Sequence, residues 1–153
     1  MIEKTRLLGT ILTKDLKWDL NISTIVRKAN ARMELLRRVA GFGTPAEDLK
    51  EIYILFIRSI LEQSATVWHS SLTQENKDDL ERVQKTALKV ILQDNYKGYK
   101  NSLARLDIET LENRRIELCL NFAIKSSKNE KVKHMFPLSE NNHTMFTRNE
   151  EKF

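Results

Sequence analysis

Acidic side chains are the first candidates for chemistry, because enzymes that use two metal ions cluster two or three carboxylates around them. Asp78 and Asp79 form the only adjacent pair of aspartates in the chain. Both fall in the first turn of a predicted helix, where carboxylates stabilise the positive end of the helix dipole. We therefore interpret this pair as structural and predict no metal site.

Nucleophiles and bases give no stronger signal. The sequence has no glycine-rich phosphate loop, no Gly-x-Ser-x-Gly elbow and no histidine pair with metal-ligand spacing. His69, His134 and His143 are scattered, and we interpret His69 as a packing or solvent-facing residue. Cys119 lies on an apolar helix face without a neighbouring base, which favours a buried, inert thiol. We expect no catalytic residue, no cofactor and no enzymatic activity of the chain on its own.

Basic residues are better candidates for binding. The chain has 26 Lys and Arg against 21 Asp and Glu, a net charge of +5, which favours polyanionic partners. Arg82, Lys85 and Lys89 stand three and four residues apart, so they form one stripe opposite the apolar face of a predicted helix. A second basic set lies on the first predicted helix: Arg27, Lys28, Arg32, Arg37 and Arg38. Each set can contact phosphates or be only a solvated surface.

The elements that carry these residues are predicted to be helices. With four glycines and two prolines, the sequence offers few turns for a many-stranded fold. We predict a mainly α fold, a bundle of four to five helices with a short N-terminal strand or hairpin. Apolar spacing and capping residues place the helices at 19–40, 44–68, 74–93, 102–106 and from 111 onward, with Thr44 and Thr110 as N-caps.

The predicted packing follows from the same periodicity. Residues 5–13 read as one strand, with Gly9 as a bulge or a point of close approach. Either this strand has a hairpin partner near residues 16–18, or the sheet to which it belonged is missing. The expected core consists of Phe56, Ile57, Ile60, Leu80, Ala87, Ile91 and Leu120. The final helix is expected to turn Leu111, Ile116, Cys119, Leu120 and Ala123 inward.

Targeting signals are not evident. The longest apolar run, residues 52–60, is interrupted by Arg58 and is shorter than the roughly 18 to 20 residues that a membrane helix needs. The N-terminal residues do not lead into the apolar region of a secretory signal. Cys119 is the only cysteine, which excludes an intramolecular disulfide. We expect an intracellular protein, in the nucleus or the cytoplasm.

Several short motifs follow one another in order along the chain. Leu8-Gly9 precedes a Leu-x-Trp turn that ends at Trp18, and a basic helix then ends in Leu36-Arg37-Arg38. Residues 53–68 contain Ile-Leu-Glu followed by a tryptophan six residues after the glutamate, and residues 80–91 read Leu-Glu-x-x-Gln-x-x-Ala-Leu-Lys-x-Ile. This ordered set, over roughly residues 5–128, resembles the region that follows the catalytic palm in reverse transcriptases of non-LTR (LINE-like) retrotransposons.

The resemblance has departures. Asn21 stands where many relatives have histidine, Gln63 replaces a common aromatic residue, and Lys89 replaces the usual arginine. The palm motif with its aspartate pair, which precedes the Leu-Gly strand in the family, is missing from this sequence. These departures leave the expected fold intact, but they weaken contacts inferred at the three positions.

What the resemblance implies is a fragment of an RNA-directed DNA polymerase. Residues 1–18 would be the end of the palm and 19–128 a thumb-like helical domain. Residues 129–153 lie beyond the resemblance, and their polar sequence without periodicity predicts a mobile tail. The residual role would be binding of RNA or an RNA–DNA duplex through phosphates, without base readout. Self-association through the exposed former palm face is a further expectation. Two alternatives stay open: a retrotransposon relic without selected activity, and a helical protein-interaction module.

Overall fold

The computed structural model describes residues 4–135, which begin with a two-stranded antiparallel hairpin. β1 (Lys4–Leu7) pairs with β2 (Thr10–Thr13), with Arg6 opposite Ile11. Leu8 and Gly9 form the turn with φ values of 48° and 87°, the left-handed backbone that two-residue hairpin turns require. A Cβ on Gly9 would lie 2.6 Å from Nε2 of Gln63. Gly9 is therefore a point of close approach, as predicted.

The prediction of one continuous strand over residues 5–13 is wrong, because the chain reverses direction at Leu8 and Gly9 and forms two strands. The partner strand is β2 rather than residues 16–18. Trp18 instead packs into the core, with 9% of its surface exposed. A hydrogen bond links the outer edge of the hairpin to the first helix, where the amide of Ile11 donates to Oδ1 of Asn21 over 3.0 Å.

The first helix confirms the apolar pattern. α1 (Asp19–Gly41) is 23 residues long and places one side in the core. Its buried apolar residues are Ile22, Ile25, Ala29, Met33, Leu36 and Ala40. This three-and-four spacing is the pattern of one face of an α-helix.

The second helical stretch differs from the prediction in its rotation. It consists of α2 (Ala46–Ile52), a π-helical segment (Tyr53–Arg58) and α3 (Ser59–Glu62). Leu49, Tyr53, Ile57 and Leu61 are all buried, at intervals of four residues. Four residues overshoot a regular α-helical turn by about 40°, and the wider π turns absorb this excess. Phe56 is therefore 46% exposed and its predicted core position is wrong.

The ends of this stretch also differ from the prediction. Thr44 does not cap a helix, since its hydroxyl donates to the carbonyl of Val39 over 2.8 Å and Pro45 occupies the N-cap position. The helix ends at Glu62, because Ser64 adopts a left-handed backbone with φ 55°. A short α4 (Ala65–Trp68) follows, continued by a 3-10 turn (His69–Ser71).

α5 (Gln74–Leu92) runs beside α1 in the same direction. Asn76 near its start donates to Oδ1 of Asp19 at the start of α1 over 2.8 Å. Gln93 just after its end donates to the carbonyl of Ala40 over 3.5 Å. Thr73 caps α5 by accepting from the amide of Asn76. The predicted core residues on this helix are confirmed as buried: Leu80, Ala87 and Ile91.

Two further helices complete the described chain. α6 (Tyr99–Leu106) starts three residues earlier than predicted, and α7 (Leu111–Lys128) starts where predicted. Thr110 caps α7, with its hydroxyl oxygen accepting from the amide of Asn113 over 3.2 Å. A 3-10 turn (Lys133–Met135) follows α7. The mainly α fold with an N-terminal hairpin is confirmed.

The predicted inward face of α7 is wrong beyond Leu111. Ile116 and Leu120 are 43% and 59% exposed, whereas Leu111 and Arg115 are fully buried. Cys119 is partly exposed and Ala123 is exposed. The helix is thus rotated so that an arginine occupies the inward position.

The chain divides into two compact units, Met1–Leu120 and Asn121–Phe153. The first contains the hairpin, α1 to α6 and the first part of α7. Within the second, the structure describes the end of α7 and the turn that follows it. Most of the predicted tail, residues 136–153, lies outside the described residues.

Candidate nucleic-acid interface

The stripe predicted on α5 is exposed, but its three cations have different surroundings. Nη1 of Arg82 lies 2.7 Å from Oδ1 of Asp79, so this guanidinium already has a carboxylate partner. Nζ of Lys85 lies 5.2 Å from the centroid of the Tyr99 ring, and Nζ of Lys89 lies 5.7 Å from that of Tyr96. Within residues 4–135, neither lysine forms an ion pair.

The five basic residues predicted on α1 are all exposed, but they do not form one surface. Arg37 and Arg38 both approach Glu34, at 3.7 Å and 3.3 Å. Lys28 and Arg32 make no ion pair in the described part of the chain. Arg37 lines a shallow depression with Val90 and Gln93, where the ends of α1 and α5 meet. Arg37 therefore lies at the junction of α1 and α5.

Arg27 belongs to a different group, which sequence reasoning missed. It lines a cleft of about 400 Å³ between the hairpin and α1, together with Lys4 and Arg6 of β1. Ile11, Leu20 and Thr24 form the rest of its wall, with Thr5. Among the described residues, no carboxylate lies within ion-pair distance of the three cations. We call Lys4, Arg6 and Arg27 the hairpin cleft cations.

Lys4 and Arg6 alternate along a strand, so both side chains point to the same face of the hairpin. This spacing can be read from the sequence. The sequence does not show that Arg27 joins the two residues, because α1 reaches the same face only through tertiary packing. A hairpin prediction with the right turn would have been needed to place Arg27 beside them.

The adjacent aspartates of α5 have separate partners. Asp78 accepts from Nε2 of Gln74 over 2.9 Å, and Asp79 pairs with Arg82. Across residues 4–135, no group of three or more His, Cys, Asp or Glu side chains is arranged to hold a metal ion. Both aspartates thus have structural partners near the beginning of α5.

A buried polar network, also missed from the sequence, lies between α5 and its neighbours. Oε1 of Gln84 accepts from the Tyr53 hydroxyl over 2.5 Å, and Nε2 donates to the Tyr99 hydroxyl and to the Glu109 carbonyl, each over 2.8 Å. The Tyr99 hydroxyl in turn donates to Glu81. Burial raises the pKa of Tyr53 and of Tyr99, so both hydroxyls stay protonated as donors. The network satisfies every polar atom of the fully buried Gln84 side chain.

A second polar group links α7 to the preceding helices. Glu62 lies 3.5 Å from Nε of Arg58 and 3.3 Å from Nε of Arg114. Nε of Arg115 donates to Nδ1 of His69 over 3.4 Å. His69 is therefore a packing residue that accepts a hydrogen bond. Burial raises the pKa of Cys119, which keeps it in the less reactive thiol form.

Three polar residues of these motifs therefore join helices through ion pairs or hydrogen bonds: Glu62 in the Ile-Leu-Glu segment, and Glu81 and Gln84 in the α5 motif. Lys89 of the α5 motif is exposed. Within residues 4–135 no helix has the length and apolar character needed to cross a membrane. Comparison with protein-family models, curated proteins and solved structures finds no match to this chain.

Proposed function

We propose that this chain is the thumb-like part of a non-LTR retrotransposon reverse transcriptase, and that it binds template and primer nucleic acid through backbone phosphates. The observation that carries the binding proposal is the cleft with Lys4, Arg6 and Arg27. The family assignment is supported by the ordered motifs of the sequence. Binding is expected without base preference, because phosphate contacts position a nucleic acid but do not read its sequence.

Electrostatics favour a polyanion in this cleft. Three positive charges share one concave surface, and within the described residues no carboxylate offsets their mutual repulsion. A phosphate chain would relieve that repulsion and release its own counterions, which is the main source of non-specific affinity. Two of the three cations are arginines, whose planar forks can bind phosphate oxygens in pairs. The apolar wall formed by Ile11 and Leu20 excludes water from one side of such contacts.

The structural roles of the motif residues support the proposal indirectly. Glu62, Glu81 and Gln84 hold the helices together through buried or partly buried hydrogen bonds. These motif residues therefore specify the fold that displays the surface cations. The resemblance to the family therefore bears on the fold, and the surface charges bear on binding.

The binding proposal is tested by the salt dependence of affinity for a fluorescent RNA–DNA duplex of random sequence. In a Lys4→Gln, Arg6→Gln, Arg27→Gln variant, we expect the slope of log affinity against log salt to shrink by about two to three, since each phosphate contact contributes about 0.9. The matched control, Arg37→Gln with Arg38→Gln, removes two cations that already approach Glu34. An equal change of slope in the control would contradict a specific role of the cleft.

One observation favours a second candidate, a protein-interaction or self-association module. Leu7, Leu8 and Leu16 are 60%, 90% and 68% exposed, all on the hairpin or in the turn that follows it. Apolar side chains grouped at one end of a protein are typical of an interaction surface. A Leu7→Ser, Leu8→Ser variant that sediments as a monomer, when the parent chain dimerises, would support this candidate. A parent chain that stays monomeric at tens of micromolar would argue against it.

A further inference from the structure

We infer that Tyr96 and Tyr99 are positioning residues, which hold Lys85 and Lys89 over their rings as an ordered pair of contacts for phosphates of one nucleic-acid strand. The inference rests on the proposed function and adds a second contact surface to it, apart from the hairpin cleft. It also separates the two lysines from Arg82, with which they form one stripe in the sequence. We call the four residues the tyrosine–lysine patch.

Both tyrosine rings are held in place by contacts with the rest of the fold. Both tyrosines are partly buried and pack against the hydrophobic core. The Tyr99 hydroxyl accepts from Nε2 of Gln84 over 2.8 Å and donates to Glu81. A ring anchored in this way cannot follow a mobile lysine, so the lysine becomes ordered on the ring.

The two ammonium groups lie 5.2 Å and 5.7 Å from the ring centroids, within the distance at which the face of an aromatic ring attracts a cation. An ammonium has three hydrogens, and the contact with a ring leaves donors free for a phosphate oxygen. A flexible lysine loses side-chain entropy when it binds. Here the contact with the ring already orders the lysine side chain, so less entropy is lost when a phosphate binds.

Arg82 differs from the two lysines in its charge balance. Asp79 lies 2.7 Å from its Nη1 and compensates the guanidinium. The carboxylate closest to Lys85 in sequence along the same face, Glu81, already accepts from the Tyr99 hydroxyl and from the amide of Leu111. Within residues 4–135 no ion pair involves Lys85 or Lys89, so their charges remain available for a ligand.

The spacing of the pair suits a continuous backbone. Lys85 and Lys89 are four residues apart on one helix, a rise of about 6 Å. Lys97 and Lys100 directly follow the two tyrosines and are exposed, which adds positive charge next to the patch. A chain of phosphates fits this arrangement better than a single small anion, because the cations are arranged along a line and do not converge on one point.

The charge contacts are tested with the full chain and the same fluorescent RNA–DNA duplex. Lys85→Gln with Lys89→Gln should reduce the salt slope by about two, since each contact contributes about 0.9. Arg82→Gln should leave the slope unchanged. Equal slope changes per charge for all three residues would overturn the separation of Arg82 from the lysines.

The positioning role is tested at Tyr96, whose hydroxyl is not part of the Gln84 network. Tyr96→Leu keeps an apolar side chain but removes the ring, and should weaken binding about two- to five-fold with an unchanged salt slope, as expected from the strength of an exposed cation–π contact. Tyr96→Phe keeps the ring and should bind like the parent chain. Equal affinities of the Leu and Phe variants would overturn the positioning role.

A nuclear magnetic resonance measurement separates this inference from the proposed function, because it needs no ligand. The ε-methylene protons of Lys89 should be shifted upfield by the ring in the parent chain and in Tyr96→Phe, and should lose that shift in Tyr96→Leu. If the shift is present but the duplex does not bind, the proposed function and the phosphate contacts fail while the ring contact stands. If the duplex binds and only the hairpin cleft variant changes the slope, the patch alone is overturned.

Discussion

Arg115 donates a hydrogen bond from Nε to Nδ1 of His69 over 3.4 Å, and this bond joins the inward face of α7 to the turn after α4. The acceptor role requires an imidazole without a proton on Nδ1. Burial, followed by the charges of Arg115 and Lys77, lowers the pKa of His69 below its usual value. A neutral histidine is therefore part of the folded structure.

The first prediction concerns pH. Because the folded pKa of His69 lies below the unfolded value of 6.5, the unfolded chain binds the proton more tightly. The contribution of His69 to stability is therefore complete above about pH 6.5 and is lost as the pH falls below it, toward the folded pKa. Urea midpoints should decrease between about pH 7.5 and pH 5.5. His69→Gln offers Arg115 an amide oxygen that does not titrate, so it should lose this component. A variant with the same pH dependence as the parent would contradict the assignment.

A second prediction concerns the buried guanidinium of Arg115. The residue is fully buried, and Nη1 and Nη2 have no hydrogen-bond partner among the described residues. Burial lowers the pKa of Arg115, which reflects the cost of keeping this charge inside. Arg115→Met, of similar length, should leave the free energy of unfolding unchanged or raise it by up to about 3 kcal/mol. Arg115→Ala should lower it by about 1–3 kcal/mol, because it leaves a cavity.

Denaturant titration distinguishes these outcomes. The carboxylates around Arg115 have other partners: Glu62 pairs with Arg114, Glu112 with Lys77, and Glu81 with the Tyr99 hydroxyl. Removing the guanidinium should therefore leave none of these carboxylates without a partner. A loss of more than about 2 kcal/mol in Arg115→Met would mean that the charge itself is needed in the interior.

A third prediction concerns Gln84, the centre of the buried polar network. Gln84→Leu should lower the free energy of unfolding by about 1–3 kcal/mol, because it leaves the buried Tyr53 hydroxyl without its acceptor. Adding Tyr53→Phe to this variant should lower the free energy of unfolding little further, since the hydroxyl without an acceptor is then removed. A double-mutant cycle measures the coupling. Additive effects of the two substitutions would show that the hydrogen bond does not stabilise the fold.

A fourth prediction concerns the π-helical segment. Ile57→Ala should lower the free energy of unfolding by about 2–5 kcal/mol, because Ile57 is fully buried. Phe56→Ala, one residue earlier, should lower it by about 1 kcal/mol or less, because the ring is 46% exposed. Chemical denaturation of both variants tests the rotation of this segment. The reverse order of the two effects would indicate a regular α-helix there.

A fifth prediction concerns catalysis. The 153-residue chain should not incorporate nucleotides on a primed RNA template with magnesium or manganese, because its only adjacent aspartates, Asp78 and Asp79, lie on a helix and are engaged with Gln74 and Arg82. Primer extension is read against a control without protein. Extension above that control that is also lost in Asp78→Asn with Asp79→Asn would refute our structural interpretation of this pair.

Local signals in the sequence determined the elements whose causes are local. The apolar spacing of α1 and the cap Thr110 were predictable, because an amphipathic face and a capping hydrogen bond involve residues within a few positions of each other. Thr44 shows the limit of this reasoning. Its hydroxyl could cap the next helix or donate to a carbonyl at the end of α1, and in the structure it donates to the carbonyl of Val39.

Tertiary structure decided what periodicity alone leaves open. The pattern around Phe56 and Ile57 fits more than one helix rotation, and the π segment keeps Leu49, Tyr53, Ile57 and Leu61 in line with the core. The rotation of α7 follows from two ion pairs, Lys77 with Glu112 and Glu62 with Arg114, whose partners are more than thirty positions apart in the sequence.

The binding surfaces show the same division. The sequence determined that Lys4, Arg6 and Arg27 are basic, and that Lys85 and Lys89 share one side of a helix. Only the packing of the hairpin against α1 brought the first three around one cleft, and only the positions of α6 and of the segment before it placed the rings of Tyr99 and Tyr96 next to the lysines. Contacts between residues distant in sequence depend on how whole elements pack, and no local propensity encodes that.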